Sequence, residues 1–273
     1  MSIERPVLAY PGGKWRIAPW ILQHAPSHTY YVEPFGGGGS VLLSKSRSRY
    51  EIYNDINKEV VCLFRVLRDN PDEFIRKVEL TPYSRVEYEI AFEDTLEDIE
   101  IARRLLYRVS ASFGTEGVLK NKGTWLYSKY REHALTWSYL ADHLLSYTER
   151  LKGVYIECKD GLEVIQQWDD KDTWHYVDPP YVLDSRVESQ VYSNEMTDDN
   201  HKKLSDVLHQ AKGKISLSGY NTPLYEDLYK GWHKIEKEVQ VWGHKSDGTR
   251  AKRIECLWMN YTPETEDLPF FNL

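Results

Sequence analysis

An α/β fold with a parallel sheet is predicted by three observations on the sequence. Short apolar, strand-like runs end in polar or acidic residues and pass straight into helical spacing near both ends of the chain. One of these strands is separated from its helix by four consecutive glycines, Gly36 to Gly39. The middle of the chain drops this alternation and keeps helical spacing alone. The 273 residues, 41% hydrophobic, suffice for one sizeable core and a subdomain.

In chain order, Tyr30-Tyr31-Val32-Glu33-Pro34 reads as a buried strand, Phe35-Gly36-Gly37-Gly38-Gly39-Ser40 as a turn, and Val41-Leu42-Leu43 as a helix start. Strand, Gly-rich turn and helix let a backbone approach a nucleotide-like ligand at the carboxyl end of a parallel sheet. The turn is not a Walker loop, because no Gly-Lys-Ser/Thr follows, and not a dinucleotide fingerprint, because Val41 takes the third glycine position. A second strand, Tyr50-Glu51-Ile52-Tyr53, leads to Asn54-Asp55-Ile56-Asn57. Asp55 stands either where α/β nucleotide sites hold a ribose diol or as a plain helix N-cap. Residues 65 to 150 read as mainly helical, with helical spacing over Arg103 to Ser110 and His133 to Leu151 and a Gly-containing hairpin or loop near 113 to 127. A third strand, Val154 to Cys158, ends at Lys159-Asp160-Gly161, where Asp160 either meets a ligand amine or caps a helix starting near Leu162. After the polar stretch from Val182 to Met196, Thr197-Asp198-Asp199-Asn200 offers caps for a helix to about Gln210.

Asp178-Pro179-Pro180-Tyr181 follows the strand-like Trp174-His175-Tyr176-Val177. Two prolines remove two N–H donors and stop the strand, which leaves carbonyls there to accept from something other than a sheet. The Asp178 carboxylate adds an acceptor, and Tyr181 adds a flat ring on which a planar heterocycle can stack. An aromatic amine is a poor nucleophile because its lone pair is delocalised. Two acceptors on its two N–H bonds favour a pyramidal nitrogen, which is transition-state stabilisation by preorganised dipoles. The alternative is a strand-terminating turn with a buried tyrosine.

With these pieces in this order, the chain resembles the Dam-type DNA adenine-N6 methyltransferases, in which cofactor motifs precede a target-recognition insert and a DPPY motif. The resemblance spans nearly the whole chain. Tyr10-Pro11-Gly12-Gly13-Lys14 is similar to the family's cofactor-contacting YxGGK segment, and Glu33-Pro34-Phe35-Gly36-Gly37-Gly38-Gly39 to its FxGxG turn, with Phe35, Gly37 and Gly39 in register. Asp55 matches the ribose-binding acid and Asp160 the adenine-binding acid, with Gly161 where an aromatic residue is often found. Asp178, Pro179, Pro180 and Tyr181 match the catalytic tetrapeptide residue for residue. Leu217 to Asn221 and Arg253 to Tyr261 look like the family's late strand and terminal hairpin.

The resemblance implies a Rossmann-like methyltransferase sheet flanked by helices, formed by residues 1–64 and 151–273, with an inserted, mainly helical target-recognition subdomain over 65–150. It implies S-adenosyl-L-methionine as cofactor and double-stranded DNA as partner, with direct methyl transfer to the N6 atom of a flipped-out adenine. Tyr181 then stacks on the base, Asp178 and the Pro179 carbonyl hold N6, Phe35 lies between cofactor and active site, and Tyr10 and Lys14 border the cofactor.

A net charge of −7 is unusual for a DNA-binding chain. Residues 87 to 100 carry seven acids and no base, which reads as a solvated face turned from DNA. Residues 107 to 133 interleave aromatics with Arg108, Lys120, Lys122, Lys129 and Arg131 against only Glu116 and Glu132. A second basic cluster, including Lys245 and Arg250, sits in a loop between strands near Val241 and Leu257. The resemblance makes both DNA contacts. Cys62, Cys158 and Cys256 are odd in number, far apart and set among apolar neighbours, so they read as reduced core residues, and the histidines show no ligand spacing, so no metal is expected. No apolar run suits a signal peptide or a membrane span, which predicts a cytoplasmic protein. Methylation of cytosine N4 or of RNA adenine, a non-catalytic DNA-binding module, and a dinucleotide oxidoreductase remain the alternatives at this level.

Overall fold

Strand β1 (Tyr30–Glu33) pairs in parallel with β2 (Tyr50–Asn54) on one side and β4 (Thr173–Val177) on the other, in a computed structural model that describes residues 3–10, 12–113, 117–118, 120, 123–182, 195–244 and 250–263. Outside β2 lies β3 (Val154–Glu157), and outside β4 lies β5 (Lys214–Gly219), both parallel. β6 (His233–His244) and β7 (Arg250–Met259) form an antiparallel hairpin whose second strand pairs with β5, so the order is β3-β2-β1-β4-β5-β7-β6. The sheet is a Rossmann-like, doubly wound α/β sheet. The chain runs outward from β1 through β2 and β3, then returns to start again at β4. Ligands bind outside the carboxyl ends of such strands at this reversal, which here falls between Glu33 and Asp178.

Side chains alternate across the strands, and both faces are covered. Tyr31, Tyr53, Trp174 and Tyr176 enter one apolar cluster, while Val32 and Ile52 enter a second with Val164, and Val177 a third. The first face carries α1 (Ala18–Gln23), α2 (Ser40–Ser44), α3 (Lys58–Asp69), α4 (Pro71–Leu80), α6 (Asp98–Ala111) and α8 (Leu140–Leu151). Helix α3 packs on both α6 and α8, so the helices of the middle segment continue the sheet's own core. The 64/65 boundary proposed from sequence falls inside α3. The opposite face carries α9 (Gly161–Gln167), α10 (Asp198–Gln210) and α11 (Pro223–Leu228).

The caps refine the local expectations. Asn57, not Asp55, caps α3, accepting from the Glu59 and Val60 N–H groups on its Oδ1. Asp160 does cap α9, accepting from Leu162 N. Thr197 and Asn200 form a capping box on α10. The helical run over His133 to Leu151 is two helices, α7 (His133–Ser138) and α8, meeting at Tyr139. Nor is the acidic stretch from 87 to 100 wholly solvated. It holds α5 (Arg85–Ile90) with buried Tyr88 and Ala91, and Glu87 and Glu100 clamp the buried Arg103. Burial raises the Glu100 carboxyl, but Arg103, Lys77 and Arg104 outweigh it and hold it down to about 2. Cys158 is exposed just past the end of β3, unlike the buried Cys62 and Cys256.

Candidate functional site: a cavity at the strand reversal

The Gly-rich turn leaves β1 and is fixed by β2. Gly37 and Gly39 take positive φ, 48° and 62°, which L side chains rarely adopt, and a Cβ at Gly37 would stand 2.8 Å from the Tyr10 ring. The Gly37 N–H donates to Asp55 Oδ2 at 2.7 Å, and Tyr53 Oη donates to the Gly37 carbonyl at 2.6 Å. Asp55 Oδ1 accepts from Asn57 N at 2.7 Å, so one carboxylate joins the turn to the entry of α3. Each oxygen keeps a second lone pair toward the cavity. Asn54 pins three strand ends: its Nδ2 donates to the Pro34 and Lys159 carbonyls, and its Oδ1 accepts from Lys159 N.

Glu33, at the last position of β1, is buried and accepts from Tyr31 Oη at 2.6 Å and Leu42 N at 2.9 Å on the same Oε2. Burial outweighs these two donors and pushes its carboxyl up to about 8. Asp178 follows β4. Burial also pushes its carboxyl above the ordinary range, while Lys14, whose Nζ stands 3.0 Å from Asp178 Oδ1, pulls the other way. Tyr181 is almost fully buried: its hydroxyl donates to Glu255 at 2.8 Å, and its ring packs edge-on against Tyr220 at 4.5 Å.

Several of these groups line a cavity of about 450 Å³, a volume within the range of small-molecule sites. Of the residues singled out in the sequence, Tyr10, Lys14, Glu33, Pro34, Phe35, Gly36 and Gly37 line it from the N-terminal part. Asp55 and Asp160 line it from the ends of β2 and β3, and Asp178 and Pro180 from the end of β4. Gly39, Pro179 and Tyr181 are not in its wall; Gly39 packs under Phe64, and Tyr181 lies behind Lys14. Sequence reasoning missed the apolar Ile56 and Leu162, each directly beyond a strand-end turn, and Tyr176, whose inward face only strand pairing decides. An apolar residue beside an acid at a strand end, Ile56 after Asp55, is the one signal that was available. Met196, Asn200 and Lys203 reach the cavity from α10 and its entry, which no local pattern announces.

The lining suits S-adenosylmethionine. Asp55 presents acceptors for a diol, Phe35, Ile56 and Leu162 supply flat apolar walls, and a Cβ at Gly161 would stand 2.7 Å from the Phe35 ring, so a side chain there would force that wall to shift. Among the described residues, no group of three or more His, Cys, Asp and Glu is placed to hold a metal. No helix of the described residues is long and apolar enough to cross a membrane.

The basic residues named from sequence divide sharply. Arg108 is not on the surface: it is buried on the inner side of α6, donates through Nε to the Gly117 carbonyl at 2.7 Å and pairs with Glu59 of α3. Helical spacing alone cannot show that an arginine turns inward to a carboxylate on another helix. Lys120 pairs with Asp94 at 2.5 Å and lies 3.9 Å from Glu59. Lys129 and Arg131 are exposed and make no ion pair within the described residues. Lys122 and Lys245 lie outside the described residues; Arg250 opens β7, and its side chain lies outside them too. Near Lys129, the rings of Tyr83, Trp125 and Tyr127 stack in series at 5.6 and 5.8 Å, with the Arg85 guanidinium 4.8 Å over Trp125.

Comparison with known proteins adds an independent finding. The D12 class N6 adenine-specific DNA methyltransferase family matches residues 10–242. The chain is 28% identical to the Type II methyltransferase M1.LlaDCHI of Lactococcus lactis subsp. cremoris over 94% of this chain and 95% of that protein. It is 24% identical to the DNA adenine methylase of Escherichia coli (strain K12), over 96% and 97% of the two chains. It is likewise 24% identical to the Type II methyltransferase M.MjaIII of Methanocaldococcus jannaschii, over 94% and 99%.

Proposed function

The chain belongs to the D12 class N6 adenine-specific DNA methyltransferase family, and on that premise we propose that it methylates adenine N6 in double-stranded DNA from S-adenosylmethionine held in the cavity at the strand reversal. The observation that carries the reading is the meeting of Asp178, at the end of β4, with the Gly-rich turn of β1 across one cavity. When bound, the cofactor supplies a methyl group made electrophilic by a cationic sulfonium. Asp55 takes the ribose diol and Asp160 the adenine amine, while Phe35, Ile56 and Leu162 border the rings and Tyr10 covers the turn.

Adenine N6 lies inside the duplex stack, so the base must turn out to reach Asp178. Asp178 and the Pro179 carbonyl accept from the two N6–H bonds and localise the lone pair on nitrogen. With the lone pair so placed, N6 would take the methyl group that the cofactor supplies and would release one proton to water. Tyr181 offers a ring face for the base, held by Glu255 and Tyr220.

Residues 1–64 and 151–273 form the catalytic part in this reading, and 65–150 engages DNA. Exposed Lys129 and Arg131, which follow Trp125 and Tyr127 of the ring stack in the chain, support that assignment. The test is to incubate the protein and cofactor with unmethylated genomic DNA and, separately, with RNA, and to digest each product to nucleosides for mass spectrometry. N6-methyldeoxyadenosine is the expected product. N4-methyldeoxycytidine alone, methyl in RNA alone, or no methyl at all would overturn the reading.

A further inference from the structure

Lys14 stands at the active carboxylate and not only along the cofactor cavity. Its Nζ is 3.0 Å from Asp178 Oδ1 and 4.7 Å from the centroid of the Tyr181 ring, and it donates to the Gly12 carbonyl at 2.6 Å. The side chain is buried. Under the proposed function, a target adenine needs two things here: an N–H donor at the Asp178 carboxylate and a flat body over the Tyr181 face. The Lys14 ammonium fills both places. A base cannot stack on Tyr181 while the ammonium lies over that ring.

We propose, resting on the function given above, that Lys14 holds the place of the target amine when no base is bound, keeps Asp178 ionised, and withdraws as the base enters. Chemistry requires both halves of this cycle. Asp178 is faced by Glu33 from β1, Tyr176 from its own strand, Tyr181 behind it and Glu255 from β7, none of which is cationic. Burial and Glu255 favour the protonated acid, which accepts poorly from N6, whereas Lys14 and, to a lesser degree, the Tyr181 hydrogen bond favour the carboxylate. During transfer N6 itself gains positive character, so an ammonium fixed beside it would oppose the reaction. An ammonium on a flexible stem can do the first and then leave.

Lys14 is thus a positioning residue, and its test is Lys14→Met with Lys14→Gln as a second uncharged variant, each checked for folding by thermal melting. In the protein alone, carbon-13 aspartate NMR with Asp178 assigned through Asp178→Asn should show the Asp178 carboxyl titrating about one unit higher, a tenfold gain in proton affinity. The acid limb of single-turnover methylation of unmethylated genomic DNA should move up by the same amount, and Lys14→Arg should restore it. The KM for DNA should stay level or fall, because no ammonium must be displaced. Affinity for S-adenosylhomocysteine by calorimetry should change little. An unshifted Asp178 titration overturns the proposal, as does a loss of about tenfold or more in S-adenosylhomocysteine affinity, which makes Lys14 a cofactor contact. If the wild-type protein puts no methyl on adenine, the function fails on that result alone, and the aspartate titration still decides Lys14.

Discussion

Two carboxyls a strand apart, the buried Glu33 and the partly buried Asp178, carry opposite demands. Asp178 must be ionised to accept from N6, and Asp178→Ala should lower turnover by at least about a hundredfold while S-adenosylmethionine affinity stays within several-fold. Near-wild-type turnover of a folded variant would remove it from the chemistry. Glu33 is different, since both of its donors meet one oxygen and burial pushes its carboxyl from the ordinary 4.5 to about 8. The folded state therefore holds a proton that the unfolded chain loses. Its contribution is fully present below about 4.5 and is lost as pH rises toward about 8, at about 1.4 kcal/mol per pH unit. Glu33→Gln keeps an acceptor for Tyr31 and Leu42 and should flatten the fall of the melting temperature across that interval. An unchanged pH profile of melting would show that Glu33 stays charged. Asp55→Ala removes an acceptor from both the Gly37 N–H and the ribose, and should weaken S-adenosylmethionine binding by calorimetry by roughly 1–3 kcal/mol; unchanged affinity would leave Asp55 a turn-holding residue only.

At the scale of elements, the turn after β1 and the helices after β2 decide where ligand and DNA can approach. Arg108 on α6 is committed to Glu59 on α3 and belongs to packing, whereas Lys120 is held by a surface ion pair to Asp94. The exposed pair Lys129 and Arg131 is the better place to look for phosphate contact. Replacing both by Ala should weaken DNA binding and reduce the slope of log affinity against log salt by up to about two units, while cofactor affinity without DNA holds. An unaltered slope would move the contact to the hairpin of β6 and β7. Arg108→Ala should instead destabilise, because it leaves Glu59 and the Gly117 carbonyl without their partner, and melting separates that outcome from a loss of DNA affinity in a folded protein.

For the molecule as a whole, the sheet and the middle helices share one apolar cluster that runs from Tyr31 and Tyr53 to Leu106 and Leu144. Unfolding of the two parts should therefore be coupled. Leu106→Ala, at a fully buried position of α6, should cost about 2–5 kcal/mol. Its melts followed by far-ultraviolet and near-ultraviolet circular dichroism should coincide. Two separated transitions would show that residues 65–150 fold by themselves.

Local chemistry in the sequence determined the elements and the ligand end of the sheet. Glycine runs, paired prolines and strand-end acids act through their own backbone, so the turn at Gly36 to Gly39, the stop at Pro179 and the cap at Asp160 were legible without any partner. The family's tetrapeptide was legible in the same way. What depended on residues far apart in the chain was not: the cap at Asn57 in place of Asp55, the inward turn of Arg108, the exposure of Cys158, and the approach of Asn200 and Lys203 from α10. The nearness of Lys14 to Asp178 is of this second kind, joining residues 164 positions apart. A side chain's partner is set by burial and charge summed over the folded molecule, and only the tertiary structure performs that sum.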